Sequence, residues 1–362
     1  MRTFPLRLSY ICVQSVIPET ALTVRARCFG ERVFVLMSPL VTLSFRDASS
    51  RRRLVSSRFL IATAIALATL SVSKARATDA PLARTVVHTS TLPPLPLALD
   101  GASAVATSGA IFVFGGESPR GLSSTLLRLD GRTGAATVVT DRLVARRDHQ
   151  AVLLDEHTAL VIGGRGRRGV ESTVEIVRLD DGSVARGAPM PTPRASLGAA
   201  LVDGRVVTAG GTLGWGKVAN VEIYDVAADR WTRGAPLKIG RDGVLATSRG
   251  LVYMLGGESD RGRSALVERY DGGRFVMAPS LPRAMRGHRA VSLGDRVVLF
   301  GDADDPRRLT ILDPVTRESE TLRSAHTARP GACVVAVGAR VVVIGGQENG
   351  RPSDLVEMLS FE

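Results

Sequence analysis

The sequence predicts an all-β fold, a six-bladed β-propeller whose ring is closed by an N-terminal strand. Three observations carry this prediction. The stretch Arg205-Val206-Val207-Thr208-Ala209-Gly210-Gly211 has counterparts at residues 111–116, 160–164, 252–257, 297–302 and 341–346. The first glycines of the six copies lie 48, 47, 46, 45 and 44 residues apart, the period of a four-stranded propeller blade. Each copy is also a continuous apolar run ending in glycine, which suits a strand covered on both faces.

Taken in order, residues 1–50 show no repeat and no clear period, and Met37 within them offers a later start. Arg51-Arg52-Arg53, the apolar run from Phe59 to Val72 and Ala75-Arg76-Ala77 read as the basic, apolar and cleavage parts of an export signal, with Thr78 as the first mature residue. The run is 14 residues long, short of the ~20 that a spanning helix needs. The expectation is an exported protein, periplasmic or secreted, with no stable membrane anchor. The arginines suit a twin-arginine route as well as the ordinary secretory one. Residues 1–77 are therefore read as signal plus an over-long N-terminal start, and residues 78–362 as the propeller.

The third copy shows the four strands of a blade most clearly. Residues 196–202 form a small-residue inner strand, 205–211 the apolar second strand, Val221-Glu222-Ile223-Tyr224-Asp225 the alternating third, and Trp231-Thr232-Arg233 the start of the outer strand. The last copy is followed by a third-strand match at residues 355–361 and no fourth. Residues 84–90, which read like an outer strand, are expected to fill that place and so remove two exposed edges.

Charge narrows the function. The formal net charge is +12, but residues 1–77 hold 12 basic and 3 acidic side chains, leaving 35 and 32 in the remainder, a net +3. The propeller has no large positive field, which argues against a nucleic-acid partner. Of three cysteines only Cys333 lies in the repeats, in an apolar run, and it reads as a buried inert thiol.

The series Gly210-Gly211, Tyr224-Asp225, Trp231 resembles the diglycine, tyrosine and tryptophan pattern of the kelch repeat, and Gly256-Gly257, Tyr270-Asp271, Phe275 repeats it with one aromatic swapped. The resemblance spans residues 84–362. The other four copies carry leucine at or beside the tyrosine position, at Leu129, Leu179, Leu312 and Leu359, and the fifth has Asp302 for its second glycine. The resemblance implies that the loops after the glycine pairs and the links between blades open on one face. Both sets are rich in arginine. Arg147, Arg194, Arg241, Arg286 and Arg329 precede the inner strands at spacings of 47, 47, 45 and 43. Rotational repetition would make them a ring of guanidinium groups suited to carboxylates or sulfates. The alternative is that they hold carbonyl or acidic groups of the blades.

Arg120, Arg165, Arg167, Arg168, Arg261, Arg263 and Arg351 follow the glycine pairs, and Trp215, between Gly214 and Gly216, is the aromatic that strand packing does not claim. His149 and His288 hold matching repeat positions and read as structural, and no metal-ligand spacing and no cofactor motif emerges. The expected function is non-catalytic binding of a protein or acidic glycan by a monomer, through the five arginines and Trp215. One alternative is a structural part of an envelope complex. The other is a sugar-acid isomerase, because sialic acid mutarotases are similar six-bladed kelch propellers with an arginine-lined mouth. Glu117 and Glu258 would then be the acid/base candidates. Galactose oxidase is similar in its kelch domain, but the tyrosines and cysteine here do not fit its copper site.

Overall fold

The computed structural model describes residues 85–302, 304–323 and 329–362, together with the backbone of residues 24–29 and 32–37. Contacts divide the chain into a unit of residues 1–82 and a unit of residues 83–362. In the first, Val24–Phe29 pairs antiparallel with Arg32–Met37, a hairpin that the aperiodic sequence of residues 1–50 did not predict. The expected export signal at residues 51–77 lies outside the described residues.

The second unit is a six-bladed propeller. Blade 1 comprises Ser103–Ala106, Ala110–Phe114, Leu126–Asp130 and Ala136–Thr140. Blade 2 comprises Gln150–Asp155, Thr158–Ile162, Val174–Arg178 and Val184–Gly187. Blade 3 comprises Gly198–Val202, Arg205–Ala209, Val221–Asp225 and Arg230–Arg233. Blade 4 comprises Arg241–Ser248, Leu251–Ser259, Val267–Asp271 and Arg274–Ala278, and blade 5 comprises Arg289–Leu293, Arg296–Phe300, Arg308–Leu312 and Ser319–Arg323. Blade 6 takes Cys333–Val337, Arg340–Ile344 and Val356–Phe361 from the C-terminal end and Val87–Leu92 from the N-terminal side. Val87–Leu92 pairs along its whole length with Val356–Phe361, from Val87 opposite Phe361 to Leu92 opposite Val356. The expected closure is present.

Six apolar clusters fill the six junctions between neighbouring blades. The second strands are buried on both faces, as their unbroken apolar runs require; Val206, Val207 and Ala209 are fully inaccessible. Each buried valine of this kind contributes about 1.5–3 kcal/mol of transfer free energy. Gly211 has φ +102°, and a Cβ there would lie 2.8 Å from the Ala195 carbonyl oxygen of the inter-blade link, so only glycine fits. The Tyr224 and Trp231 rings pack with centroids 5.0 Å apart. The Trp231 indole donates to Ala188 O in blade 2 at 2.8 Å, so the repeat's aromatic pair is a blade-to-blade tie.

Candidate functional site

Antiparallel blades place the inter-blade links and the loops between second and third strands at one end of the ring, and the remaining turns at the other. Four arginines from the links fold into the blades. Arg194 donates to Gly210 O at 2.9 Å, Asn220 O at 2.7 Å, Thr208 Oγ1 at 2.8 Å and Glu222 Oε2 at 2.9 Å. Arg241 pairs with Glu268 at 2.5 Å and Arg329 with Glu357 at 2.5 Å, each also bonding the first-glycine carbonyl of its own blade. Arg146 makes the corresponding pair with Glu175. All eight side chains are at most 3% exposed. Burial pushes the Arg194 guanidinium down to about 10, against the opposing pull of Glu222, so it stays charged at neutral pH.

Blades 5 and 1 lack this pair. Their link positions hold Met285 and Leu99, and their glutamate positions hold Thr310 and Leu127. Arginine and glutamate are thus replaced together, as a buried ion pair must be, since a lone charge in that place would be unpaired. The once-per-blade ring expected from spacing therefore does not form. Arg194, Arg241 and Arg329 lie inside the blades, and Arg146 rather than Arg147 is their counterpart in blade 2.

Arg147 and Arg286 are one residue further on and face the mouth. Arg147 contacts Asp100 at 2.8 Å, Asp148 at 3.1 Å and Glu117. Partial burial lowers its pKa, but Asp148, Glu117 and Asp100 outweigh that and hold it above the ordinary value. Arg286 contacts Glu258 at 3.1 Å and Asp304 at 3.8 Å. Glu117 and Glu258, the acid/base candidates of the isomerase reading, are therefore engaged by rim arginines, and neither lines the channel cavity.

The loops between second and third strands project beyond the mouth as short hairpins. Glu117–Ser118 pairs with Gly121–Leu122, Arg165–Gly166 with Gly169–Val170, and Gln347–Glu348 with Arg351–Pro352. Trp215 sits on the blade 3 loop with 85% of its surface exposed. Its neighbours come from both sides. A Cβ on Gly214 would be 3.7 Å from Arg165 Nη1, and Lys217 N donates at 3.1 Å to Asp260 Oδ1 in the blade 4 hairpin, where Glu258 and Ser259 pair with Arg263 and Gly262. Arg120, Arg167, Arg168, Arg261 and Arg351 at these tips are exposed and have no carboxylate partner among the described residues.

Inside the mouth a cavity of about 220 Å³ is lined by inner-strand and link residues, Asp148, Gln150, Asp242, Arg289 and Cys333 among them. His149 and His288 are fully buried beside it. Burial, reinforced by Arg146, pushes His149 down to about 3. Burial likewise pushes His288 down to about 4, although its ring bonds Leu255 O at 3.1 Å. Both are neutral packing groups. Burial also pushes the Cys333 thiol up to about 12, as befits an inert thiol. No cluster of metal-ligating side chains occurs among the described residues.

Sequence reasoning missed the glutamate partners and the role of Arg146. The signal was available in the repeat alignment, where Glu175, Glu222, Glu268 and Glu357 each follow the first residue of a third strand and are absent where the arginine is absent.

A family model described as the kelch motif matches residues 193–238. The chain is 24% identical to Beta-scruin of Limulus polyphemus over 217 residues, 55% of this chain and 24% of that protein. It is 31% identical to human Kelch-like protein 34 over 188 residues, 51% of this chain and 23% of that protein. It is 26% identical to Kelch-like protein 36 of Bos taurus over 251 residues, 64% of this chain and 39% of that protein. The chain thus spans less than half the length of these relatives. Among solved structures, one titled "Structure of YjhT" superposes with a TM-score of 0.63 at 12% identity, covering 75% of this chain and 98% of that one, a likeness of fold.

Proposed function

We propose that this chain, which belongs to the kelch-repeat β-propellers, is an exported binding module that holds the acidic segment of a partner protein on its hairpin face. The observation that carries this reading is Trp215, 85% exposed between hairpins whose tips bear arginines without acidic partners. Tryptophan and arginine are the side chains that dominate binding energy at protein interfaces. An exposed indole flanked by unpaired guanidinium groups offers an apolar anchor and charge-assisted bonds to carboxylates. Arg147 and Arg286, already engaged with acids, frame this face and set its geometry, while Arg194, Arg241 and Arg329 keep the blades rigid beneath it.

An acidic glycan is the second reading, favoured by the same indole, because Gly214 and Gly216 leave its ring faces open to a sugar ring. Export rests on the basic, apolar and small-residue pattern of residues 51–77, and N-terminal sequencing of protein recovered outside the cytoplasm should give Thr78 first.

The binding test uses immobilised polyglutamate and heparin as the two acidic probes. The parent should bind polyglutamate more tightly, with affinity falling as salt rises. Trp215→Ala with Arg167→Ala and Arg168→Ala should lose at least tenfold in affinity while melting like the parent. Tighter retention on heparin would move the reading to the glycan. A triple variant that binds both probes as tightly as the parent would refute the hairpin face.

A further inference from the structure

We propose that the central channel holds a binding site for one small monocarboxylate, built around Arg289 and separate from the hairpin face. The site follows from the repeat register. In every blade one inner-strand residue pairs with the residue just before the first glycine. These are Ser103 opposite Phe114, Gln150 opposite Ile162, Gly198 opposite Ala209, Val244 opposite Leu255, Arg289 opposite Phe300 and Cys333 opposite Ile344. All six line the cavity except through Gly198, where Leu197 and the neighbouring Leu245 take its place. One ring of equivalent positions thus holds a cation, a thiol, a hydroxyl and an amide in succession through blades 5, 6, 1 and 2, and aliphatic groups at blades 3 and 4.

The acids that line the cavity are engaged by cations other than Arg289. Asp148 contacts Arg147 at 3.1 Å, a guanidinium it shares with Asp100 and Glu117, and Asp242 is paired with Lys217 and accepts from Glu258 N at 2.8 Å. His149 and His288, the other titratable groups beside it, are neutral. Arg289 has no carboxylate within ion-pair reach among the described residues. Its Nε donates to Ala332 O at 2.9 Å and fixes the side chain, while Nη1 makes only a long 3.5 Å contact with His288 O and Nη2 makes none. A guanidinium anchored at one nitrogen, with Nη2 free of any protein partner among the described residues, is prepared for a planar anion.

Two neutral groups complete the site. Ser103 is 6% exposed and its hydroxyl has no protein partner, an arrangement that a buried polar group tolerates only when something else satisfies it. Gln150 belongs to blade 2, which faces blade 5 and Arg289 across the ring, and its amide makes no hydrogen bond to the described residues. A cavity of about 220 Å³ is smaller than the ~300–1,000 Å³ of sites for larger ligands. Its size suits an acid of a few carbons rather than a peptide or an oligosaccharide.

The experiment follows the ¹⁹F linewidth of trifluoroacetate with purified full-length protein, using trifluoroethanol as the neutral control. The proposal expects broadening of trifluoroacetate alone, reversal by excess lactate, and no change in either effect with Trp215→Ala. Arg289→Gln should reduce the broadening at least tenfold. If that variant does not fold, Gln150→Leu decides, and it should weaken binding at least threefold. No broadening in the parent, equal broadening by trifluoroethanol, or undiminished broadening in whichever variant is folded would overturn the site.

Discussion

Arg194 and Glu222 form a 2.9 Å ion pair with side-chain exposures of 0% and 1%, and the same pair recurs in three further blades. Removing one member leaves the other charged and buried, which costs about 3–5 kcal/mol. Arg194→Ala should therefore lower the urea midpoint by that equivalent. Replacing both members, as Arg194→Met with Glu222→Leu, should recover at least half of the loss, because blades 5 and 1 already hold Met285 with Thr310 and Leu99 with Leu127. A double variant as unstable as the single one would show that the pair's value lies in its carbonyl contacts.

The N-terminal strand is the second point of vulnerability. Without Val87–Leu92, the edge of Val356–Phe361 loses a full register of partners, and an unpaired edge invites association with other chains. A protein beginning at Gly101 should aggregate, and its soluble fraction should melt well below the parent. Unchanged melting and a monomeric elution volume would mean that the sixth blade stands without it.

Acid should unfold the protein through its buried histidines. His149 at about 3 and His288 at about 4 lie below the ordinary 6.5 because burial disfavours the imidazolium. At pH 7.5 both are neutral folded or unfolded. Below pH 6.5 the unfolded chain takes up protons that the folded one refuses, so stability falls as pH falls towards 4. The loss by pH 5 is on the order of 2 kcal/mol per histidine. Urea midpoints at pH 7.5 and 5 should converge in His149→Gln with His288→Gln, and an unaltered pH dependence would assign the acid sensitivity to carboxylates.

Much of the fold was legible because a propeller writes its geometry into the chain as a period. The glycine pairs marked the second strands within a residue or two, and the missing fourth strand of the last blade pointed to residues 84–90. The site was less legible. Spacing treated Arg147 as equivalent to Arg194, because a one-residue offset is invisible to a period that itself drifts from 48 to 44. That offset sends Arg146 into the blade and leaves Arg147 at the mouth. Burial depends on the glutamate waiting on the third strand, a contact 27 to 29 residues away in sequence. Trp215 was legible because two glycines isolate it from any strand pattern. The surroundings of Arg289 were not, since the cation that engages Asp242, Lys217, comes from the loop of another blade, and the Ala332 carbonyl that fixes Arg289 lies 43 residues away.

The central claim is that partners dock on the hairpin end of the ring, and site-specific photo-crosslinking tests it most directly. A photoreactive residue at position 215 reports on that end. One at position 132, in the turn between the third and outer strands of blade 1, reports on the opposite end. In the producing cells, position 215 should give a discrete protein adduct that disappears with Arg167→Ala and Arg168→Ala, and position 132 should give none. An adduct at position 132 alone, or one at position 215 indifferent to those arginines, would contradict the account.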